Sequence, residues 1–311
     1  YKIEKSESIK NMKNNIAVIG LGSMGYGIAT SCLRSGHLVW GVDTNIDQVK
    51  AFCSQGGQAT TLNSVIDKID VVVVVVLNSV QTEEVLFGQE GLVENLKPGT
   101  VVISCATVAP TFAIDMERRC KEFEIFYLDA PISGGALKAK NGQLSIMASG
   151  VKEAFQHARP TLDSISETVF ELGDEAGTGS AMKSVNQLLA GVHIAVMAEA
   201  LTFGISQGIS PDKFVEVISK CAGTSWMLEN RAPHIVNGDY KPHSSIHIWP
   251  KDLGIVLDVA LESKFNAPIA TAALEQFRTA VDMGLGFEDD AAVAKVYAKS
   301  ANLSLPKKND V

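Results

Sequence analysis

Short apolar runs alternate with helical stretches through the first half of the chain, and helical periodicity alone continues to the end. Runs rich in β-branched residues at 16–21, 38–42, 71–77, 101–104, 126–129, 144–148 and 168–171 predict strands. Between most of them lie helical patterns, at 24–35, 46–54, 110–123 and 152–164. Strands that are apolar on both faces and linked by helices imply a mainly parallel, doubly wound α/β sheet of Rossmann type. From about Gly173 onward the pattern predicts only helices, at 178–207, 211–221, 226–234, 250–263, 268–283 and 290–300. Gly208 closes the first of these, and Ser210-Pro211 supplies the N-cap and first position of the next. A helix of about thirty residues spans roughly 45 Å, more than one small domain requires. It is expected to leave the first domain and enter an all-α second one. The division is therefore 1–14 as an extension or tag, 15–175 as the α/β domain and 176–311 as a helical domain for substrate and self-association.

Composition narrows the class. Of 311 residues, 46% are hydrophobic and 20% charged, which excludes global disorder. A net charge of −8 without a dense Lys/Arg cluster argues against nucleic acid. Residues 71–77 are too few for a membrane span, which needs about 20, and the long helix carries Asn186, Gln187, His193 and Glu199. Cys32, Cys53, Cys105, Cys120 and Cys221 are odd in number, scattered and without a Cys-x-x-Cys pair, as expected of reduced thiols in a cytoplasm.

The clearest local motif is Gly20-Leu21-Gly22-Ser23-Met24-Gly25, directly after the first strand and at the start of a helix. Its glycines permit a tight turn, approach of a pyrophosphate and close helix–strand packing. Asp43 ends the second strand, placed to bind the adenosine ribose and repel a 2′-phosphate; Thr44-Asn45 offers no arginine. NAD is therefore expected over NADP. Leu77 and Asn78, closing the third run, are further candidate cofactor contacts.

Lys183, within Gly177-Thr178-Gly179-Ser180-Ala181-Met182-Lys183-Ser184-Val185-Asn186-Gln187, stands out chemically. Asn186 and Gln187 follow it at i+3 and i+4 and flank it on one helical face. The apolar residues 188–192 indicate a buried helix, where a lysine needs a reason to be present. As a neutral amine it could accept an alcohol proton, and as an ammonium it could return one. Ser133-Gly134-Gly135 could present a hydroxyl and backbone N–H groups to a carboxylate, although an ordinary strand-to-helix turn has the same composition. Lys251, after Pro250 and before Asp252, could equally be a solvated helix start with proline at the first position.

Taken together, the fingerprint, the segment Ser104-Cys105-Ala106-Thr107-Val108-Ala109-Pro110, the segment Asp129-Ala130-Pro131-Ile132-Ser133-Gly134-Gly135, the Lys183 segment and Lys251-Asp252-Leu253 resemble the β-hydroxyacid dehydrogenase family. The resemblance runs from about Ile16 to Ser300 and implies NAD-dependent oxidation of a small hydroxy acid. It implies that Thr107 lies beside the nicotinamide riboside and that Ser133, Gly134 and Gly135 bind the substrate carboxylate. Lys183 would be the general acid/base, Asn186 and Gln187 would hold it or a substrate oxygen, and Lys251 would reach the cofactor. The family usually has two asparagines where this chain has Asn186 and Gln187. Residues 222–231 and 251–258 are most similar to the family's L-threonate-oxidising branch, whose product is 2-oxo-tetronate. On that reading Asn230 and Arg231 are candidate partners for the extra hydroxyls. 3-Hydroxyisobutyrate and the tartronate semialdehyde/glycerate pair remain alternatives, as does a non-catalytic dinucleotide-binding module; an imine reductase would carry a different residue at position 183. No metal is expected, His243 and His247 reading as loop histidines, and the protein is expected to be a homo-oligomer.

Overall fold

The computed structural model describes residues 13–58 and 61–308, so most of the expected extension lies outside the described residues. Lys13 and Asn14, however, belong to the folded domain. Asn14 is buried, its N–H donating to His37 Nδ1 and its amide to His157 O and Thr161 Oγ1.

Two compact units divide between Lys183 and Ser184. The first is built on five parallel strands in the order β2-β1-β3-β4-β5. These are β1 (Asn15–Ile19), β2 (Leu38–Val42), β3 (Val71–Val74), β4 (Val101–Ser104) and β5 (Phe126–Asp129). Every residue of β3 and β4 is buried, as expected of strands covered on both faces. The covering helices include α1 (Gly25–Arg34), α2 (Ile46–Ser54), α3 (Ser79–Phe87) and α4 (Pro110–Glu122). In a 2-1-3-4-5 sheet the order reverses at β1/β3, and the crevice beyond the strands' carboxyl ends there is where such folds bind ligands.

A second sheet holds β6 (Ile132–Ser133), β7 (Leu144–Ala148) and β8 (Ser166–Glu171), with α5 (Gly135–Asn141) and α6 (Lys152–Ile165) in the intervening segments. β6 runs antiparallel to β7, which runs parallel to β8. The helices α3 and α5 and the strand β6 are additions to the sequence-based reading. The third apolar run forms a strand only as far as Val74, with Val75 N still donating to Ile19 O and Val75 lying close to Gly20 and Gly25.

The second unit contains most of α7 (Thr178–Ser206), followed by α8 (Pro211–Ile218), α9 (Trp226–Val236), α10 (Ile248–Glu262), α11 (Pro268–Asp282) and α12 (Ala294–Ser300). Its core joins Ile194, Ala198 and Leu201 of α7 to Leu253 and Phe277, with Trp249 stacked on Phe277 at 5.5 Å. Among the described residues α7 is the one helix long and apolar enough to cross a membrane, but half of its most apolar window is buried inside the protein. The apolarity of α7 is thus largely that of a core helix.

Candidate active site

The carboxyl ends of all five parallel strands carry residues singled out from sequence. Beyond β1 the fingerprint turns sharply: a Cβ on Gly25 would lie 1.8 Å from Gly20 O, and one on Gly20 2.3 Å from Val75 O. Neither position can hold a larger residue without moving the backbone. Gly22 differs, since a Cβ there would meet nothing within 4 Å. Packing does not require that glycine; open space beside the backbone suits a close-approaching ligand.

Helix α1 starts without a side-chain cap and without an acidic residue in its first turn. Its amino end is thus fitted to a phosphate anion. Asp43, beyond β2, ties the turn down, its Oδ2 accepting from Leu21 N at 2.6 Å and its Oδ1 from Asn45 N at 2.7 Å. A carboxylate has about four acceptor positions, so two remain for hydroxyls. Asn78 caps α3 by accepting from Gln81 N, while Gln81 Oε1 accepts from Leu77 N, which orders the segment beyond β3. Thr107 sits half-buried in the loop between β4 and α4. These features fit a dinucleotide.

Asp129, at the end of β5, received no role from the sequence, yet it organises the start of α7. It is 1% exposed. Its Oδ2 accepts from Gly177 N at 3.0 Å and Ser180 N at 2.7 Å, and its Oδ1 from Ser180 Oγ at 2.6 Å. Burial raises the carboxyl pKa, and the Ser180 and Gly177 hydrogen bonds oppose that rise. Its position at the end of a buried strand was the available signal.

One turn beyond this anchor, Lys183 is 7% exposed and its Nζ donates to Ile132 O at 2.8 Å. Ile132 immediately precedes Ser133-Gly134-Gly135, so the ammonium is held against that segment. Gly134 and Gly135 adopt φ of 135° and 77°, which L side chains rarely tolerate, and the Gly135 Cβ position is open. Within the first unit, the structure thus brings Lys183 to the serine–glycine turn.

In the second unit, Gln187 Nε2 donates to Asp252 Oδ2 and Asn186 Nδ2 to Gln187 Oε1. Lys251 Nζ donates to Asp252 Oδ1. Here the expected helix start needs correction. α10 begins at Ile248, so Pro250 is the third helical residue and Asp252 lies beyond the first turn. A short turn places Ile248 N on Ser245 O and Trp249 N on Ile246 O, opening the helix two residues early. Proline is still tolerated there, since first-turn N–H groups have no intrahelical partner.

Arg231, a candidate hydroxyl partner, is tied into the second unit's core. It is buried and its Nε donates to Asp290 Oδ1 at 2.6 Å, while its Nη1 donates to Asn230 Oδ1. Trp249 Nε1 also donates to Asp290, making the group a structural knot. The loop histidines diverge, His243 lying edge-on to His234 and His247 to Phe287.

Comparison with known proteins agrees with this geometry. Residues 15–173 match the family model described as the NAD binding domain of 6-phosphogluconate dehydrogenase. Residues 177–297 match that described as NAD-binding of NADP-dependent 3-hydroxyisobutyrate dehydrogenase. The chain is 46% identical to an L-threonate dehydrogenase of Cupriavidus necator, over 92% of this chain and 97% of the relative. The chain belongs to the β-hydroxyacid dehydrogenase family.

A second relative, the L-threonate dehydrogenase of Escherichia coli K12, is 42% identical over 91% of this chain and 95% of its own. The crystal structure of a 3-hydroxyisobutyrate dehydrogenase from Salmonella typhimurium superposes with a TM-score of 0.85 at 40% identity, covering 90% of this chain and 99% of that one. As a member of the family, the protein is an NAD-dependent oxidoreductase acting on a hydroxy acid.

The Asp43 carboxylate predicts the cofactor preference quantitatively. kcat/KM with NAD should exceed that with NADP by ~10²-fold or more, as expected for a like-charge contact costing several kcal/mol. Asp43→Ala combined with Thr44→Arg should narrow or invert the ratio. Equal use of both cofactors by the parent protein would remove this role from Asp43.

Proposed function

We propose that the protein oxidises L-threonate at C2 to 2-oxo-tetronate, with Lys183 as general acid/base. The observation that carries the mechanism is the buried Lys183 ammonium held on Ile132 O beside Ser133-Gly134-Gly135. Bound NAD supplies a hydride acceptor. The fingerprint and the uncapped amino end of α1 would hold its pyrophosphate, Asp43 its adenosine ribose and Thr107 its nicotinamide riboside. Ser133 Oγ and the backbone N–H groups of the following glycines would fix the substrate carboxylate. Lys183, as the neutral amine, takes the C2 hydroxyl proton as hydride leaves carbon; in reduction its ammonium polarises the carbonyl and returns the proton. Support for threonate as substrate comes from several relatives at 42–46% identity that bear that name. Five free thiols, three of them buried, are compatible with a cytoplasmic setting.

Side-by-side assays test this reading. L-threonate should be oxidised ~10²-fold or more better than 3-hydroxyisobutyrate, because a site built for extra hydroxyls rejects analogues lacking them. Lys183→Ala should lose ~10²–10⁴ in kcat while NAD binding is nearly unchanged. Better turnover of 3-hydroxyisobutyrate or glycerate would overturn the substrate, and wild-type kcat in Lys183→Ala would overturn the mechanism.

We also infer self-association through the outer face of α7. Val185, Leu189, Val196 and Phe203 are 57%, 50%, 51% and 65% exposed, and the last three repeat every seven residues. Such a stripe is self-complementary to a second helix of the same pattern. Sedimentation of Leu189→Glu/Val196→Glu should give a smaller assembly than the parent; a monomeric parent, or an unchanged mass in the variant, would contradict it.

A further inference from the structure

The side chains of Asn186, Gln187, Asp252 and Lys251 form one continuous hydrogen-bonded chain whose direction is dictated at its centre. Asp252 is 3% exposed, and as a carboxylate it can only accept. Its Oδ1 receives Lys251 Nζ at 2.5 Å and its Oδ2 receives Gln187 Nε2 at 2.5 Å. The Gln187 amide therefore turns its NH₂ toward Asp252, which leaves Gln187 Oε1 as an acceptor. Asn186 fills it with Nδ2 at 2.9 Å. Each amide has a single carbonyl oxygen, so the chain's terminal acceptor is Asn186 Oδ1. It lies three residues after Lys183 on α7, on the same helical face.

We propose that Asp252 is a positioning residue that sets the polarity of this relay, so that Asn186 Oδ1 is offered as a fixed acceptor to a substrate hydroxyl other than the one oxidised. This deepens the proposed function and rests on its assignment of a polyhydroxy acid. With the amides reversed, the same position would present an NH₂ group, and the hydroxyl's donated bond would be lost. Gln187 has a specific part in this arrangement. Its extra methylene, relative to asparagine, carries the amide to the Asp252 carboxylate while its oxygen stays within reach of its neighbour. Arg231 cannot take the acceptor's part in place of Asn186, because a guanidinium has only donors. At the other end, Lys251 keeps two ammonium protons beyond the one given to Asp252, so the carboxylate orients a cation and an acceptor together.

The test uses the full-length enzyme with NAD, assayed on L-threonate and on 3-hydroxyisobutyrate. In Asp252→Asn the central group can both donate and accept, and the amide chain is free to reverse. The kcat/KM ratio of threonate to 3-hydroxyisobutyrate should fall ~10-fold or more, carried mainly by a higher KM for threonate. Gln187→Met severs the chain while leaving Asp252 and Lys251 in place, and it should lower the ratio similarly. It carries the test alone if the Asp252 variant does not fold. The double variant should be no worse in the ratio than the worse single one, because both break one relay. Calorimetry of L-threonate binding to the enzyme–NADH complex should show the same loss of affinity without turnover. An unchanged ratio in either folded variant, or additive losses in the double, would overturn the relay. A parent enzyme that shows no preference for threonate would instead overturn the substrate assignment on which the relay rests.

Discussion

The placement of Lys183 depends on one buried carboxylate gripping the start of one helix. A helix begins with N–H groups that have no intrahelical partner, and burying them unsatisfied costs about 1–3 kcal/mol each. Asp129 resolves this at α7 by accepting from Gly177 N, Ser180 N and Ser180 Oγ at once. Its negative charge also lies at the positive end of the helix dipole. The approach is close enough that a Cβ on Gly179 would stand 2.5 Å from Asp129 O and 2.6 Å from Met147 O. Because Ile132 follows Asp129 by three residues, the segment that holds the helix start also receives the Lys183 ammonium. The position of Lys183 is thus set twice, from behind through the helix and from in front through its own nitrogen.

Buried carboxylates recur at the important positions, and their partners separate their roles. Asp290 pairs with Arg231 and also takes the Trp249 indole N–H, so it ties two core side chains together. Breaking such a pair leaves a buried charge, so its loss would cost stability. Asp252 instead joins a lysine to an amide chain. Gln187 in turn accepts from Asn186, so Asp252 heads a run of side chains where Asp290 gathers two onto itself.

Much of the fold was legible in the sequence because its signals are local. The apolar runs of β2, β4, β5 and β7 match the observed bounds, and Ser210-Pro211 starts α8 as expected. The elements missed are short or weakly patterned. β6 has two residues, α5 opens on two glycines, and α3 carries Gln81, Thr82, Glu83 and Glu84 in succession. The motif glycines and Lys183 were visible as residue types that a packed helix or turn does not otherwise favour. Asp129 and Asp252 were visible as motif members without roles, since the groups they bind in and just before α7 lie 48 to 65 residues away in the chain. The pairing of Arg231 with Asp290, 59 residues distant, was hidden from the sequence in the same way.

The most direct test of this account is native-state hydrogen exchange on Asp129→Ala alongside its kcat and NAD affinity. Alanine offers no acceptor, so all three bonds to the helix start are lost. Exchange at Gly177 and Ser180 should accelerate while the amides of β1 and β3 remain protected. NAD affinity should hold within a few-fold, and kcat should fall by ~10-fold or more, as for a misplaced catalytic group. Parental protection at Gly177 and Ser180 together with a parental kcat would show that the carboxylate does not place Lys183.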